Sequence, residues 1–393
     1  MYNKRVVFWA ACFGMLLFGS GLITLGSMAT DLKIKFELDE VAAGTLFSIL
    51  PFGILTGSLL FGPICDRYGY KFLLIISCLG MCAGFEGIAF VSSFAFLKVC
   101  VFIFGVCAGI INGATNAVVS DISSSKGANL SLLGVFFGIG ALGTPVLLAL
   151  LKHNFSSFQV IAAVGVVTLA ITFFYTGIKF PSSKKRMGFA LSNTNHLFKD
   201  GFLFLVAFYL FFQGSLEAIV NNWTTTYLTR HLSIGESTAL YSLSLYVGGM
   251  TGMRLLIGGV FRSISASKLM TFSIAVILFG IIALYFGRST FGAIVGLVLL
   301  GIGLAAGFPI MLGLAGERFA AQSGTAFSFI FTISLIGNML VNYLMGWVSK
   351  SYGIHHYISF AFAELIGMLL MCVLVFKKQN KKQETYAGET MAD

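Results

Sequence analysis

The sequence predicts an all-α membrane protein with twelve transmembrane helices arranged as two pseudo-symmetric bundles of six. Three observations support this fold class: apolar stretches fill residues 6–376, 57% of the 393 residues are hydrophobic, and only 10% are charged. A hydrocarbon core about 30 Å thick takes roughly 20 helical residues per crossing. Helices suit such runs because each satisfies its own backbone hydrogen bonds. The predicted spans are 6–29, 42–65, 72–92, 97–120, 129–151, 158–179, 200–228, 238–261, 268–287, 290–315, 323–347 and 355–376.

A polar and basic stretch in the middle of the chain separates six spans from six. We therefore predict an N-terminal bundle at 1–179, a cytoplasmic linker at 180–199, a C-terminal bundle at 200–376 and a cytoplasmic tail at 377–393. A shift of 196 residues brings the two halves into register at several positions. The matched pairs are Gly53 with Gly249, Gly62 with Gly258, Gly105 with Gly301, and Asp121 with Glu317. Equal span counts and this register favour an ancient duplication.

The distribution of charge predicts the orientation and excludes several functions. The net charge is +10. With both termini in the cytoplasm, the inside segments carry more Lys and Arg than the outside segments, as the positive-inside rule expects. We therefore expect an integral protein of the cell's inner (plasma) membrane that contacts anionic lipid and no nucleic acid. The seven cysteines form no CxxC or Cys/His cluster, so we expect no metal site. None of the five histidines is paired with a plausible nucleophile or metal set, so we also expect no cofactor and no enzyme activity.

One local motif lies between the second and third spans. It consists of Gly62, Asp66, Arg67, Gly69 and Lys71, within Gly-Pro-Ile-Cys-Asp-Arg-Tyr-Gly-Tyr-Lys. A carboxylate close to the N-terminus of the next helix is stabilised by the positive end of the helix dipole. Arg67 and Lys71 can anchor to headgroups and pair with acids when the cytoplasmic side closes. We interpret the motif as conformational, since it names no substrate.

Rare polar side chains interrupt the apolar spans and predict a substrate site. Three stripes at i, i+4 spacing, together with two aromatic residues, make up the predicted substrate-binding set. Its members are Asn112, Asn116, Gln213, Glu217, Asn221, Trp223, Tyr246, Asn338 and Asn342. Amides supply both donors and acceptors, the mixture that sugar hydroxyls require, and aromatic rings offer flat faces to a sugar ring. A hydrogen bond between helices is the alternative role for each asparagine.

These motifs carry a family resemblance. The loop motif resembles the signature of the major facilitator superfamily. Three further stretches resemble the fucose permease branch of its sugar transporters: Gly109–Asn116, Glu217–Tyr227, and Gly307-Phe-Pro309 with Glu317-Arg318. The resemblance implies a major facilitator fold, a site near the bilayer midplane and alternating access by rocking of the halves. It also implies uptake of a monosaccharide, commonly with a proton, by a protein that is usually monomeric.

The sequence departs from the branch pattern where a proton carrier is expected. Asn112 occupies a position where proton-coupled members carry an acid, and the first span has no acid before Asp31. The candidates for proton coupling are Glu217 and Glu86, and we favour Glu217 because burial favours the neutral form of a carboxylate. The leading hypothesis is a secondary active sugar transporter that works by proton symport. The alternatives are passive sugar uniport, efflux of drugs or other hydrophobic compounds, and a non-transporting sensor.

Overall fold

The computed structural model describes residues 2–38, 40–151, 154–184, 197, 199–287 and 289–390. Within these residues the chain is almost entirely helical. The helices of the first half are α1 Lys4–Ser27, α2 Ala29–Lys35, α3 Glu40–Tyr68, α4 Tyr70–Phe90, α5 Phe94–Ile122, α6 Lys126–Leu151 and α7 Ser157–Gly177. Those of the second half are α8 Gly201–Arg230, α9 Glu236–Gly258, α10 Ala266–Phe286, α11 Thr290–Leu304, α12 Gly307–Arg318, α13 Ser323–Tyr352 and α14 Tyr357–Thr390.

The predicted all-α membrane fold is confirmed. In the described part of the chain, eleven helical stretches are long and apolar enough to cross a membrane. The remaining predicted span is α9, a helix of 23 residues. The tenth span is not one continuous helix, because α11 ends at Leu304 and α12 begins at Gly307. This break leaves backbone groups at the two helix ends that side chains can bind.

The structure adds detail that the span prediction lacked. A short helix, α2, follows α1 and was not predicted. The last helix, α14, continues to Thr390, well past the predicted end of the span at 376. Most of the predicted linker lies outside the described residues, namely 185–196 and 198.

The chain divides into two compact units whose boundaries pass through three helices. Unit 1 comprises Met1–Ser124, Leu133–Ser192 and Gly316–Phe329, and unit 2 comprises Ser125–Leu132, Asn193–Ala315 and Ile330–Asp393. The end of α12 and the first turns of α13 therefore belong to unit 1, although the rest of those helices belongs to unit 2. The start of α6 likewise belongs to unit 2.

The glycines matched by the 196-residue register occupy equivalent places in their own units. In unit 1, the backbone of α3 passes so close to Gly105 of α5 that an added Cβ would meet the carbonyl of Leu50. In unit 2, an added Cβ on Gly301 of α11 would meet the carbonyl of Tyr246 in α9. Small residues permit such close approach of helices in a membrane. The crossings of α3 with α5 and of α9 with α11 thus share one feature, a glycine that lies against a backbone carbonyl of the neighbouring helix.

Candidate substrate site and loop cluster

Asp66 of the loop motif binds the N-terminus of a helix from the second half of the sequence. Its side chain is 2% exposed. It accepts hydrogen bonds from Gly324 N at 3.3 Å, Thr325 N at 2.9 Å and Thr325 Oγ1 at 2.7 Å. The first N–H groups of a helix have no partner within it, and a carboxylate there is favoured by the helix dipole. The sequence predicted that the next helix, α4, would stabilise this carboxylate; in the structure the N-terminus of α13 does so.

The two glycines of the motif permit the contact around Asp66. A Cβ on Gly62 would lie 2.6 Å from Gly324 O and 2.8 Å from Thr325 Cα, so only glycine lets α3 approach this closely. Gly69 has φ +90°, a left-handed conformation that glycine adopts without steric cost. It forms the turn between α3 and α4 and lies beside Ser183 of the linker. Gly62 therefore permits a close approach of two helices, and Gly69 permits the turn between α3 and α4.

The two basic residues of the motif bind groups other than acids. Lys71 Nζ donates to the carbonyl oxygen of Thr176 at 2.6 Å. The Arg67 guanidinium lies 5.5 Å from the centre of the neighbouring Tyr68 ring. Within the described residues, neither side chain forms an ion pair, so the pairing with acids expected from the sequence stays a prediction.

A linker lysine supplies the positive charge of this region. Lys184 is 6% exposed. Its Nζ lies 2.6 Å from Asp121 Oδ2 and donates to the carbonyl oxygen of Ala320 at 2.7 Å. Asp121 also accepts from Tyr70 OH at 2.5 Å and from Ser323 Oγ at 2.8 Å. Neither Asp121 nor Lys184 was among the predicted site residues. The register match of Asp121 with Glu317 is the sequence signal that points to Asp121.

These residues of unit 1 form what we call the loop cluster. Its members are Asp66, Tyr70, Asp121, Lys184, Ser323 and Thr325.

The predicted polar residues of the first half lie on different helices of unit 1. Asn116 of α5 is 3% exposed, and its Nδ2 donates to Asn112 O at 2.8 Å and to Asn112 Oδ1 at 3.1 Å. Asn112 is half-buried. Glu86 of α4 packs against Gly165 of α7. In the described part of the chain, no hydrogen bond joins Glu86 to either asparagine.

In unit 2, Gln213 links the acid of α8 to the break in the tenth span. Gln213 is fully buried. Its Nε2 donates to Glu217 Oε1 at 2.8 Å and to Leu304 O, the last carbonyl of α11, at 2.9 Å. Asn221 Nδ2 donates to the backbone oxygen of Glu217 at 2.8 Å. The predicted stripe on α8 is thus bonded along its length, and it also reaches a helix end.

An aromatic and amide group lies further along α8. Trp223 Nε1 and Asn222 Nδ2 each donate to Asn342 Oδ1 at 3.1 Å. Asn342 Nδ2 donates to Asn338 O at 2.9 Å and to Asn338 Oδ1 at 3.2 Å. The structure therefore brings together the predicted residues of α8 and α13. We call Gln213, Glu217, Asn221, Trp223, Asn338 and Asn342 the amide cluster.

Two further polar residues lie within unit 2. Tyr246 is 1% exposed, and its hydroxyl has no hydrogen-bond partner among the described residues. Arg254 of α9 is 9% exposed and interacts electrostatically with Glu217. Arg254 was not among the predicted site residues. The sequence signal for it is its position as a basic residue inside the predicted span 238–261, since charged residues within membrane spans are usually functional.

Eleven helical stretches of the described chain that are long and apolar enough to cross a membrane, with the interacting Glu217 and Arg254 inside the second half, are typical of a membrane protein with a functional polar site. The sequence profile of the Major Facilitator Superfamily matches residues 8–318 and 221–390. The chain belongs to this superfamily. It is therefore a transporter and not an enzyme.

Similar proteins include transporters with different cargo. The glucose/mannose transporter GlcP of Bacillus subtilis is 23% identical over 343 residues, which cover 83% of each chain. The multidrug resistance protein MdtG of Proteus mirabilis is 25% identical over an alignment of 396 positions, which covers 96% of each chain. The structure of the fucose:proton symporter FucP of E. coli is similar with a TM-score of 0.79 at 15% identity, covering 95% of this chain and 99% of that one. At 15% identity this structural similarity shows that the two chains share a fold, and it shows nothing about substrate.

Proposed function

We propose that this transporter moves a monosaccharide or a related sugar by alternating access, with proton symport as its energy source. The observation that carries the proposal is the amide cluster. It combines amides, a carboxylate and an indole on two helices of one unit, inside spans that are otherwise apolar. A sugar presents hydroxyls that donate and accept together with an apolar ring face. Pockets for such ligands combine a few placed polar groups with aromatic surface.

The cluster retains hydrogen-bonding capacity that a ligand can use. Among the described residues, Glu217 accepts a hydrogen bond only at Oε1, and Asn221 uses only its Nδ2. In the described part of the chain, this leaves the second carboxylate oxygen of the half-buried Glu217 without a protein donor and, one helical turn further on, the amide oxygen of the exposed Asn221. Polar atoms that are shielded from solvent normally have partners. A sugar hydroxyl could donate to Glu217, and a second hydroxyl could donate to the accessible oxygen of Asn221.

We propose Glu217 as the proton carrier, with Arg254 as its counter-ion. A carboxylate beside a guanidinium binds its proton less tightly than an isolated buried one. Movement of Arg254 relative to Glu217 would therefore change proton affinity, which is the step that symport requires. Glu86 is the weaker candidate, because its contact is with Gly165 of α7 and not with other polar residues of the predicted site.

Export of hydrophobic compounds is the second candidate, and the similarity to MdtG favours it. An efflux pump of this kind binds apolar molecules, for which the hydrogen-bonding atoms of the amide cluster would be a desolvation cost. The two functions therefore differ in how they respond to loss of polar atoms. Removing the Glu217 carboxylate would abolish sugar coupling but would leave apolar cargo binding intact or strengthen it.

Several accompanying features belong to the same proposal. We place the protein in the inner (plasma) membrane as a monomer, with both termini in the cytoplasm and anionic lipid around its basic segments.

We assign residues 1–179 and 200–376 to the two bundles that move, with 180–199 as the linker and 377–393 as the tail. Reagent labelling of single cysteines introduced at Lys4 and Lys377 tests the orientation, since both should react only from the cytoplasmic side.

The test of the function is uptake into proteoliposomes that contain the purified protein. A panel of labelled monosaccharides is supplied with and without an imposed pH gradient. We expect saturable uptake of at least one sugar, accelerated by inward proton flow. Glu217→Gln should still equilibrate that sugar but should no longer concentrate it, whereas the control Glu86→Gln should behave as wild type. Absence of saturable sugar flux in both conditions would contradict the proposal, and export of a hydrophobic dye would then support the second candidate.

A further inference from the structure

We infer that Asn342 is a positioning residue that fixes the indole of Trp223 and is not itself a ligand of the substrate. The inference deepens the proposed function and rests on it, because Trp223 is taken to stack against the sugar. It corrects the role that the sequence pattern suggested for Asn342, which was direct substrate binding. It also defines which part of Trp223 remains available to a ligand.

The hydrogen bonds of Asn342 are fully used within the protein. A side-chain amide has two N–H donors and an oxygen with two lone pairs. Asn342 Oδ1 accepts from Trp223 Nε1 and from Asn222 Nδ2, both at 3.1 Å. Its Nδ2 donates to two oxygens of Asn338, at 2.9 Å and 3.2 Å. All four bonding positions are occupied, so a sugar hydroxyl would have to displace one of them.

The same edge of the Trp223 indole runs beside Gly346. A Cβ built on Gly346 would lie 3.5 Å from Trp223 Cζ2 and 3.6 Å from Cη2, the atoms that follow Nε1 along this edge. Gly346 lies one helical turn after Asn342 on α13, so the same helix face binds Nε1 and, at Gly346, leaves space for the six-membered ring. The hydrogen bond from Nε1 to Asn342 Oδ1 therefore orients the indole with its nitrogen edge towards α13.

This arrangement has a consequence for substrate selection. Because the indole N–H already binds Asn342, Trp223 has no hydrogen-bond donor left and offers only its apolar face. A ligand that gains from this face must itself present a flat C–H surface, as a cyclic pyranose does. An open-chain alditol of the same length has the hydroxyls but no preformed ring face. It would lose conformational entropy on adopting one extended shape against the indole, which lowers its affinity. The geometry points to cyclic over open-chain substrates.

The test compares Asn342→Ala, Asn342→Asp, Trp223→Phe and the Asn342→Ala/Trp223→Phe double variant in the sugar uptake assay. Loss of the anchoring bonds should raise KM roughly threefold to tenfold in Asn342→Ala with kcat unchanged. Asn342→Asp retains an acceptor oxygen for the indole N–H and should stay closer to wild type. In the Trp223→Phe background, which has no N–H to anchor, Asn342→Ala should change KM by less than about twofold. Tyr343→Ala, an exposed neighbour on the same helix, is the control.

A second measurement does not depend on sugar transport. With Trp9 and Trp347 replaced by Phe, the fluorescence anisotropy of Trp223 reports its rotational freedom. We expect lower anisotropy in Asn342→Ala and a value near wild type in Asn342→Asp. Unchanged anisotropy in Asn342→Ala would overturn the inference, and so would an equal KM effect with and without Trp223. Anisotropy that falls as expected in a protein without sugar flux would support the positioning role while removing the proposed function.

Discussion

The loop cluster of unit 1 and the amide cluster of unit 2 differ in how completely their carboxylates are bonded. Both oxygens of Asp66 and both oxygens of Asp121 accept hydrogen bonds from the protein. In the described residues Glu217 accepts only through Oε1, and the oxygen of the neighbouring Gln213 has no partner. One cluster is therefore complete without a ligand, whereas the other leaves polar atoms unused.

This difference separates two roles that look the same in a sequence. A saturated, buried polar network stabilises one arrangement of the chain, and losing a member leaves an uncompensated charge. An unsaturated network can gain bonds when a ligand binds. We therefore assign the loop cluster to conformational stability and the amide cluster to binding. Substitutions in the loop cluster should change how often that cluster opens. Substitutions in the amide cluster should change the affinity for sugar.

The largest effect is expected for Lys184→Gln. This change leaves the buried Asp121 carboxylate without its cation, and removing one partner of a buried pair costs about 3 kcal/mol or more. Cys65 is 1% exposed and lies close to Asp66, Asp121 and Lys184. Opening of the loop cluster should therefore increase the rate at which a thiol reagent modifies Cys65, by roughly 100-fold. Labelling is measured by peptide mass spectrometry, with the partly exposed Cys82 as the internal reference.

The matched control is Lys179→Gln, an exposed lysine shortly before Lys184 in the chain. Its Cys65 labelling should equal that of wild type. The double variant Asp121→Asn/Lys184→Gln, which removes both charges, should label Cys65 more slowly than Lys184→Gln alone. Equal labelling of the single and double variants would show that the charge pair does not stabilise the loop cluster.

A medium effect is expected for Gly62→Ala. The new Cβ would lie 2.6 Å from Gly324 O and 2.8 Å from Thr325 Cα. Both are backbone atoms, which cannot relieve the clash by a side-chain rotation. Such overpacking costs about 2 kcal/mol, so we expect roughly 30-fold faster modification of Cys65 without a change in sugar KM. Gly143→Ala is the control, since a Cβ there meets no atom within 4 Å among the described residues beyond the adjoining turns of its own helix. A raised KM for sugar with unchanged Cys65 labelling would contradict this prediction and would show that Gly62 contributes to substrate binding.

The sequence predicted the membrane fold well because the signal is large. Apolar runs of about 20 residues follow directly from bilayer thickness. It also grouped Gln213, Glu217 and Asn221, whose spacing places them on one helix face. Contacts between distant segments were not predictable in this way. Lys184 cannot be told from the adjacent Lys185 by composition, and only the fold shows that it is buried beside Asp121. The break between α11 and α12 lies in an uninterrupted apolar run, so hydropathy does not reveal it.

The smallest effect, and the sharpest contrast with the loop cluster, is expected for Gly307→Ala. Gly307 is the first residue of α12, and a Cβ on it would meet Gln213 Oε1 and Tyr209 OH. These are the ends of flexible side chains, so Gln213 can move, at the cost of its bonds to Glu217 and Leu304. Each such bond contributes about 1 kcal/mol, so loss of the bond that orients Gln213 towards Glu217 should weaken the binding arrangement by about that amount.

We therefore expect Gly307→Ala to raise the KM for sugar roughly fivefold, consistent with the net loss of about 1 kcal/mol, while Cys65 labelling stays at the wild-type rate. Gly248→Ala serves as the control, because within the described residues no atom outside the adjoining turns of its own helix lies within 4 Å of the added Cβ. Faster Cys65 labelling in Gly307→Ala would mean that the amide cluster also stabilises the closed loop cluster. The division between a saturated network for conformation and an unsaturated one for binding would then not hold.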